Sequence, residues 1–131
     1  MKYLFDVNVL LALGHQDHAD HQKASQWFQS VAQVATDLLT CSITELAFVR
    51  ISVQAGLEPD IASAQRTLAA LKQSSRVPFQ IFEDGLSASR MPKYVRSQSQ
   101  LTDGHLLELA VSAGAKFVTL DRGIPGALII N

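Results

Sequence analysis

The sequence has a single cysteine, almost no net charge, and no apolar run long enough to cross a bilayer. A lone Cys41 cannot close an internal disulfide, and within "LLTCSI" it reads as a buried, reduced thiol of a cytosolic protein rather than a nucleophile. The N-terminal apolar run is broken by Asp6 and Asn8 and lacks a clean small-residue cleavage site behind it, so it does not read as a signal peptide. No other stretch approaches the roughly 20 apolar residues of a membrane span. These absences predict a cytoplasmic, unprocessed protein with no membrane association. Eleven basic residues stand against 12 acidic ones, a formal charge of −1 that by itself favours neither nucleic acid nor membrane. Linkers, repeats and low-complexity tracts are also missing, and a hydrophobic content of 47% suffices for a core without disulfides, so residues 1–131 read as one domain.

What is present is an alternation of periods. "KYLFDV" reads as a buried strand ending at Asp6, and residues 20–34 as an amphipathic helix with Ala24, Trp27, Phe28 and Val31 at helical spacing. "DLLTC" reads as a second strand. The following "SITELAFVRISVQAG" is apolar almost all round and stops at Gly56, which predicts a central, well-buried helix. A helix begins near Pro59 with Ile61, Ala64, Leu68 and Leu71 on one face, and "PFQIF" is a further strand. Residues 86–101 suggest only a small helix or loop. "TDGHLLELAVSAG" is a helix stopped by Gly114, "KFVTL" a strand, and "DRGIPGALII" a turn-rich loop leading to a last short strand. Strands alternating with helices predict an α/β fold with a parallel sheet covered on both faces.

In such a fold the strand C-termini and the N-termini of the following helices share one edge of the sheet, where ligands bind. Four acids fall there: Asp6 after the first strand, Glu45 in the first turn of the helix after the second, Asp103 at the start of "DGHLLELAVSAG", and Asp121 after "KFVTL". Each has an ordinary reading. Glu45 with Ser42 matches an S-x-x-E capping box, Asp103 a helix N-terminal acid, and Asp121 the start of the turn "DRGIPG". Asp6 is harder to explain this way, because an unpartnered carboxylate in an apolar run is costly. Together, four like charges at one edge resist common ionisation unless a cation joins them. All-oxygen ligands with no nearby Cys favour a hard ion, Mg²⁺ or Mn²⁺, and such ions on acidic platforms perform phosphoryl transfer on phosphodiesters.

With those residues placed, the sequence resembles the PIN-domain nucleases, in particular the VapC-type toxins of bacterial toxin–antitoxin pairs. "DVNVLLAL", "SITELAFVR", "LTDGHLLELA" and "FVTLDRGI" match the four family motifs in order, nearly end to end. The resemblance implies a three-layer α/β/α sandwich around a parallel sheet of about five strands. It implies that Asp6, Glu45, Asp103 and Asp121 are a catalytic, metal-binding quartet with Asn8, Thr44 and Thr119 as polar support. It also implies Mg²⁺- or Mn²⁺-dependent cleavage of an RNA substrate, a cognate antitoxin protein as partner, and a homodimer. Two departures bear on substrate fit: His105 stands where relatives commonly carry an aromatic such as tyrosine, and Gly104 is expected to loosen the start of its helix.

Several further residues invite readings of their own. His15, His18 and His21 in "HQDHADH" suggest a zinc site, but their i, i+3, i+6 spacing drifts around a helix, so a solvated helix entrance is expected. Arg90, Lys93 and Arg96, interleaved with Tyr94, suit RNA phosphates and base stacking, or simply form a solvated basic face. Arg122, beside Asp121, is placed to meet a phosphate. Arg50, in an apolar helix, is expected to pair with an acid or reach solvent. Two other functions compete: a PIN-fold module that binds RNA or protein without cutting, and a haloacid-dehalogenase-type phosphatase suggested by "DVNV", in which Asn8 replaces the second Asp.

Overall fold

Five short strands form one all-parallel sheet in the computed structural model, which describes residues 1–131. They are β1 (Lys2–Phe5), β2 (Asp37–Thr40), β3 (Phe79–Ile81), β4 (Lys116–Thr119) and β5 (Leu128–Ile129), in the order β3-β2-β1-β4-β5. Five helices connect or flank them: α1 (Val7–Gly14), α2 (His21–Ala32), α3 (Ser42–Gln54), α4 (Ile61–Lys72) and α5 (Leu101–Ser112).

The central strands are apolar on both faces, as parallel strands between two helix layers must be. Along β1, Tyr3 and Phe5 enter one core with α1 to α4, while Leu4 enters the other with Leu106 and Leu109 of α5. Leu38 and Leu39 of β2, and Val118 and Phe117 of β4, divide in the same way. The period of two along each strand thus produces the three-layer α/β/α sandwich that was expected. Trp27 packs edge-on to Tyr3 and Phe5, consistent with a core role.

The chain winds outward from β1 through β2 to β3, then returns to lay β4 against the other side of β1. The strand order therefore reverses between β1 and β4, with Phe5 opposite Val118. A crevice opens at the carboxyl ends of strands at such a switch point, and Asp6 follows β1 there just as Asp121 follows β4.

Four local expectations need correction. Residues 7–14 form a helix where the sequence reading assigns no element: the strand does end before Asp6, and Asp6 is the N-cap of α1, its Oδ1 accepting from Val7 N at 2.7 Å. Helix α3 is less buried than its composition suggested: Thr44, Phe48 and Ser52 form its buried stripe, while Leu46 is 70% exposed. The box at its start is built by Cys41 and Thr44, not by Ser42 and Glu45, with Cys41 N donating to Thr44 Oγ1 at 3.1 Å. Gly104 does not loosen α5. A Cβ there would collide with Val95 Cγ2 and press on Met91 Sδ and Pro92 Cδ, so the glycine lets residues 91–95 lie directly on the helix. Arg50 reaches solvent, as expected. The stretch 86–101 is loop apart from a 3₁₀ turn over Gln98–Gln100 and Leu101, which starts α5.

Candidate active site

Thr119 is the hub of the crevice. Its hydroxyl donates to Asp6 Oδ2 at 2.8 Å and accepts from Asn8 Nδ2 at 3.2 Å and from Asp121 N at 3.0 Å, which uses its full hydrogen-bonding capacity. Asn8 Oδ1 in turn accepts from Leu120 N at 3.1 Å, fastening the first turn of α1 to the end of β4. Asp6 is thereby fixed from three sides: Thr119, the Val7 amide, and its own N–H donating to Val118 O at 2.8 Å. It is 5% exposed.

Three of the four predicted acids share one electrostatic environment. Burial pushes the Asp6 carboxyl up to about 6, against the lowering effect of the Thr119 and Val7 hydrogen bonds, and the charges of Asp103 and Asp121 add to the rise. Asp103, in the first turn of α5, is also raised, first by burial and then by Asp121. Asp121 is exposed, and its Oδ1 accepts from Gly123 N at 2.8 Å. The phenol of Tyr94 is raised as well, by burial and then by Asp103 and Asp121. Its hydroxyl is buried without a hydrogen-bond partner.

Glu45 stands apart from this trio. Its Oε2 accepts from Lys72 Nζ at 2.7 Å and from the Thr40 hydroxyl, and it is not among the charges that raise Asp6. Thr44, expected beside the acids, instead caps α3 and donates to Cys41 O at 3.1 Å. Asn8 and Thr119 do join Asp6.

As arranged, no three His, Cys, Asp or Glu side chains are close enough to hold a metal ion. The donor chemistry nonetheless fits a hard dication. Every acid at the crevice offers oxygen, burial first and neighbouring carboxylates second raise Asp6 and Asp103, and the Tyr94 hydroxyl is an unused polar group near Asp103 and Asp121.

The histidines are not a solvated entrance: each has its own partner within the protein. His15 is buried, stacks on Phe48, and directs Nδ1 to Leu11 O at 3.0 Å and Nε2 to Glu58 Oε2 at 2.9 Å. His21 Nδ1 faces Ala12 O at 2.7 Å, and His18 Nδ1 accepts from Asp20 N at 3.0 Å. These separate partners fix the turn between α1 and α2. His105 pairs with Asp84 at 2.5 Å, which ties the segment after β3 to α5.

Arg90, Lys93, Arg96 and Arg122 are all exposed, and Arg90 also lies 3.5 Å from Glu108. Tyr94 is half-buried and packs against the α5-side core. A groove of about 700 Å³ between α2 and α4, lined by Phe28, Gln29, Thr67 and Leu71, contains none of the acids, so the chemistry is not there. Sequence reasoning missed Thr40, Lys72, Asp84 and the Tyr94 hydroxyl. Their roles depend on contacts between elements that carry no local pattern.

A family model described as the PIN domain matches residues 3–126. The chain is 36% identical over 124 residues to Ribonuclease VapC38 of Mycobacterium tuberculosis, covering 92% of this chain and 86% of that protein. Among solved structures it is similar to VapBC2 from Rickettsia felis bound to a DNA fragment from their promoter, with a TM-score of 0.66 at 11% identity, covering 98% of this chain and 97% of that one. It is also similar to a toxin–antitoxin complex from Klebsiella pneumoniae, with a TM-score of 0.65 at 20% identity and 98% of each chain covered.

Proposed function

The chain belongs to the PIN-domain family, and from that membership we propose that it is a Mg²⁺- or Mn²⁺-dependent endoribonuclease acting in the cytoplasm as the toxin of a toxin–antitoxin pair. The observation that carries the chemistry is the placement of Asp6, Asp103 and Asp121 at the carboxyl edge of the sheet at its switch point, where Asp103 and Asp121 oppose the ionisation of Asp6, and Asp121 that of Asp103. Membership also removes the phosphatase reading. Asn8, its doubtful second position, is engaged with Thr119 and Leu120.

A bound dication supplies activation of the attacking water and neutralises charge on the phosphate and the departing 3′ oxygen. Asp6 would be the fixed ligand, since Thr119 and the Val7 amide hold both its oxygens in place. Asp121 and Asp103 would complete the trio, with Glu45 as the fourth carboxylate. Asn8 and Thr119 keep β4 and α1 in register so that the acids stay aligned. Exposed Arg122, Lys93 and Arg96, with Arg90 at the rim, suit the phosphates that flank the scissile bond. The family relationship supports a cognate antitoxin and a homodimer as partners, and the solved toxin–antitoxin complex of similar fold supports the first.

One observation favours a second reading, a PIN-fold module that binds without cutting: the pairing of Glu45 with Lys72 leaves the quartet unassembled. A single assay separates the two. The wild-type chain should cut RNA with Mn²⁺ and not with EDTA, and Asp6→Asn and Asp121→Asn should each abolish cutting while remaining folded. Retained cleavage in both variants would refute the assignment of the site. The toxin role has its own test, in which expression of the chain alone arrests growth and co-expression of the neighbouring gene restores it. Harmless expression of a folded, RNA-cutting chain would refute that role and leave the nuclease intact.

A further inference from the structure

Of the four acids, only Glu45 already has a cation. Lys72 and Thr40 both bond a single oxygen, Oε2, and the Lys72 and Glu45 side chains are only 24% and 19% exposed. Lys72 closes the last turn of α4, where the helix carbonyls favour a positive charge. Leu46, Val49, Leu68 and Ile81 line the same groove of about 500 Å³, so its apolar walls keep part of the solvent away from the pair. The Glu45 carboxylate is thus held toward α4 by two donors on one oxygen, with Lys72 supplying the charge.

We propose that Lys72 is a positioning residue that competes with the divalent metal for Glu45. The Lys72 ammonium holds the fourth carboxylate on the α4 side, and Glu45 would have to leave it to join Asp6, Asp103 and Asp121 around a dication. This rests on the metal-site reading above. A lysine that merely propped Glu45 toward the metal would have the opposite effect when removed, so the direction of the change decides between the two.

The measurement is Mn²⁺ affinity by titration calorimetry on the full chain without RNA, at pH 7.5 and low salt, for the wild type, Lys72→Gln, Lys72→Met, Lys72→Arg, Glu45→Gln and Glu45→Gln/Lys72→Gln. Competition predicts that Lys72→Gln and Lys72→Met bind Mn²⁺ roughly three- to tenfold more tightly, the scale set by freeing a partly exposed ion pair. Lys72→Arg, which keeps the charge, should stay near the wild type. In the Glu45→Gln background the same loss of lysine should change affinity less than about twofold, since the contested carboxylate is gone. Weaker or unchanged binding in both single lysine variants would overturn the competition. So would equal tightening with and without Glu45, which would mark a general charge effect. Asp6→Asn and Asp121→Asn report on the underlying metal site: wild-type Mn²⁺ affinity in both would overturn that reading, whereas lost affinity there with no tightening in the lysine variants would overturn only the role of Lys72.

Discussion

Asp6→Asn should stabilise the metal-free chain, and the gain should depend on pH. The folded-state carboxyl ionises near 6 and the unfolded one near 3.8, so the folded chain binds the proton more readily between those values. Stability from this group is therefore greatest below about pH 3.8 and is lost as pH rises through 6. The rise from 3.8 to about 6 corresponds to about 3 kcal/mol of penalty at neutral pH. The amide keeps an acceptor for the Val7 N–H but turns an N–H toward the Thr119 hydroxyl, which costs about 1 kcal/mol of hydrogen bonding. At pH 7 in EDTA the variant should thus gain about 1–2 kcal/mol over wild type, and a melting temperature higher by several degrees. Urea denaturation of both proteins from pH 4 to 7.5 measures it: the stability difference should shift by about 2.5 kcal/mol in favour of the variant across that range. Saturating Mn²⁺ should reverse the order, because only the wild type then gains binding energy. Parallel stability curves for the two proteins in EDTA would refute the claim that Asp6 carries a buried, repelled charge.

Thr119→Val preserves shape but leaves Asn8 Nδ2 and the Asp121 amide without their acceptor, so a loss of about 1–3 kcal/mol is expected by urea denaturation, with RNA cleavage greatly reduced. Gly104→Ala drives a methyl group into Val95, Met91 and Pro92 and should cost about 1–3 kcal/mol, with amide exchange accelerating across residues 91–95. Replacing His15, His18 and His21 together by Gln should leave metal-dependent cleavage within a few-fold. Loss of the buried pair with Glu58 should nevertheless lower stability by about 1–3 kcal/mol, and calorimetry showing loss of Mn²⁺ binding would place the metal site at the histidines instead.

The layers and the parallel sheet were legible because strand and helix periods in this chain are clean: "DLLT" and "KFVT" bury three residues each, and Ala64, Leu68 and Leu71 mark one helical face. The carboxyl-edge placement of Asp6, Asp103 and Asp121 followed from that alternation. Helix α1 was hidden because an N-cap aspartate and a break in a strand look alike in one dimension. The burial of α3 was overstated because composition records how apolar a segment is, not which side meets a partner; Leu46 faces outward while Ser52 is fully buried. The attachment of Glu45 to Lys72, 27 residues away, and of His105 to Asp84, 21 residues away, was beyond reach because each joins elements whose relative placement only the fold decides.

The pairing of β4 beside β1 also sets when the chain can act. Thr119 reaches Asp6 across 113 positions, and Tyr3 lies opposite Lys116, so the crevice has no local precursor in the first three-quarters of the polypeptide. A nascent chain on the ribosome can wind β1, β2 and β3 into a partial sheet, but the side of β1 that receives β4 stays empty until β4 is made. A product that terminates before Lys116 therefore lacks both Thr119 and Asp121 and has no complete acidic crevice. The order in which the chain is made is therefore also the order in which the site can appear: Asp6 emerges early, yet it has no hydroxyl to hold it and no second acid beside it until residues 116–121 have followed.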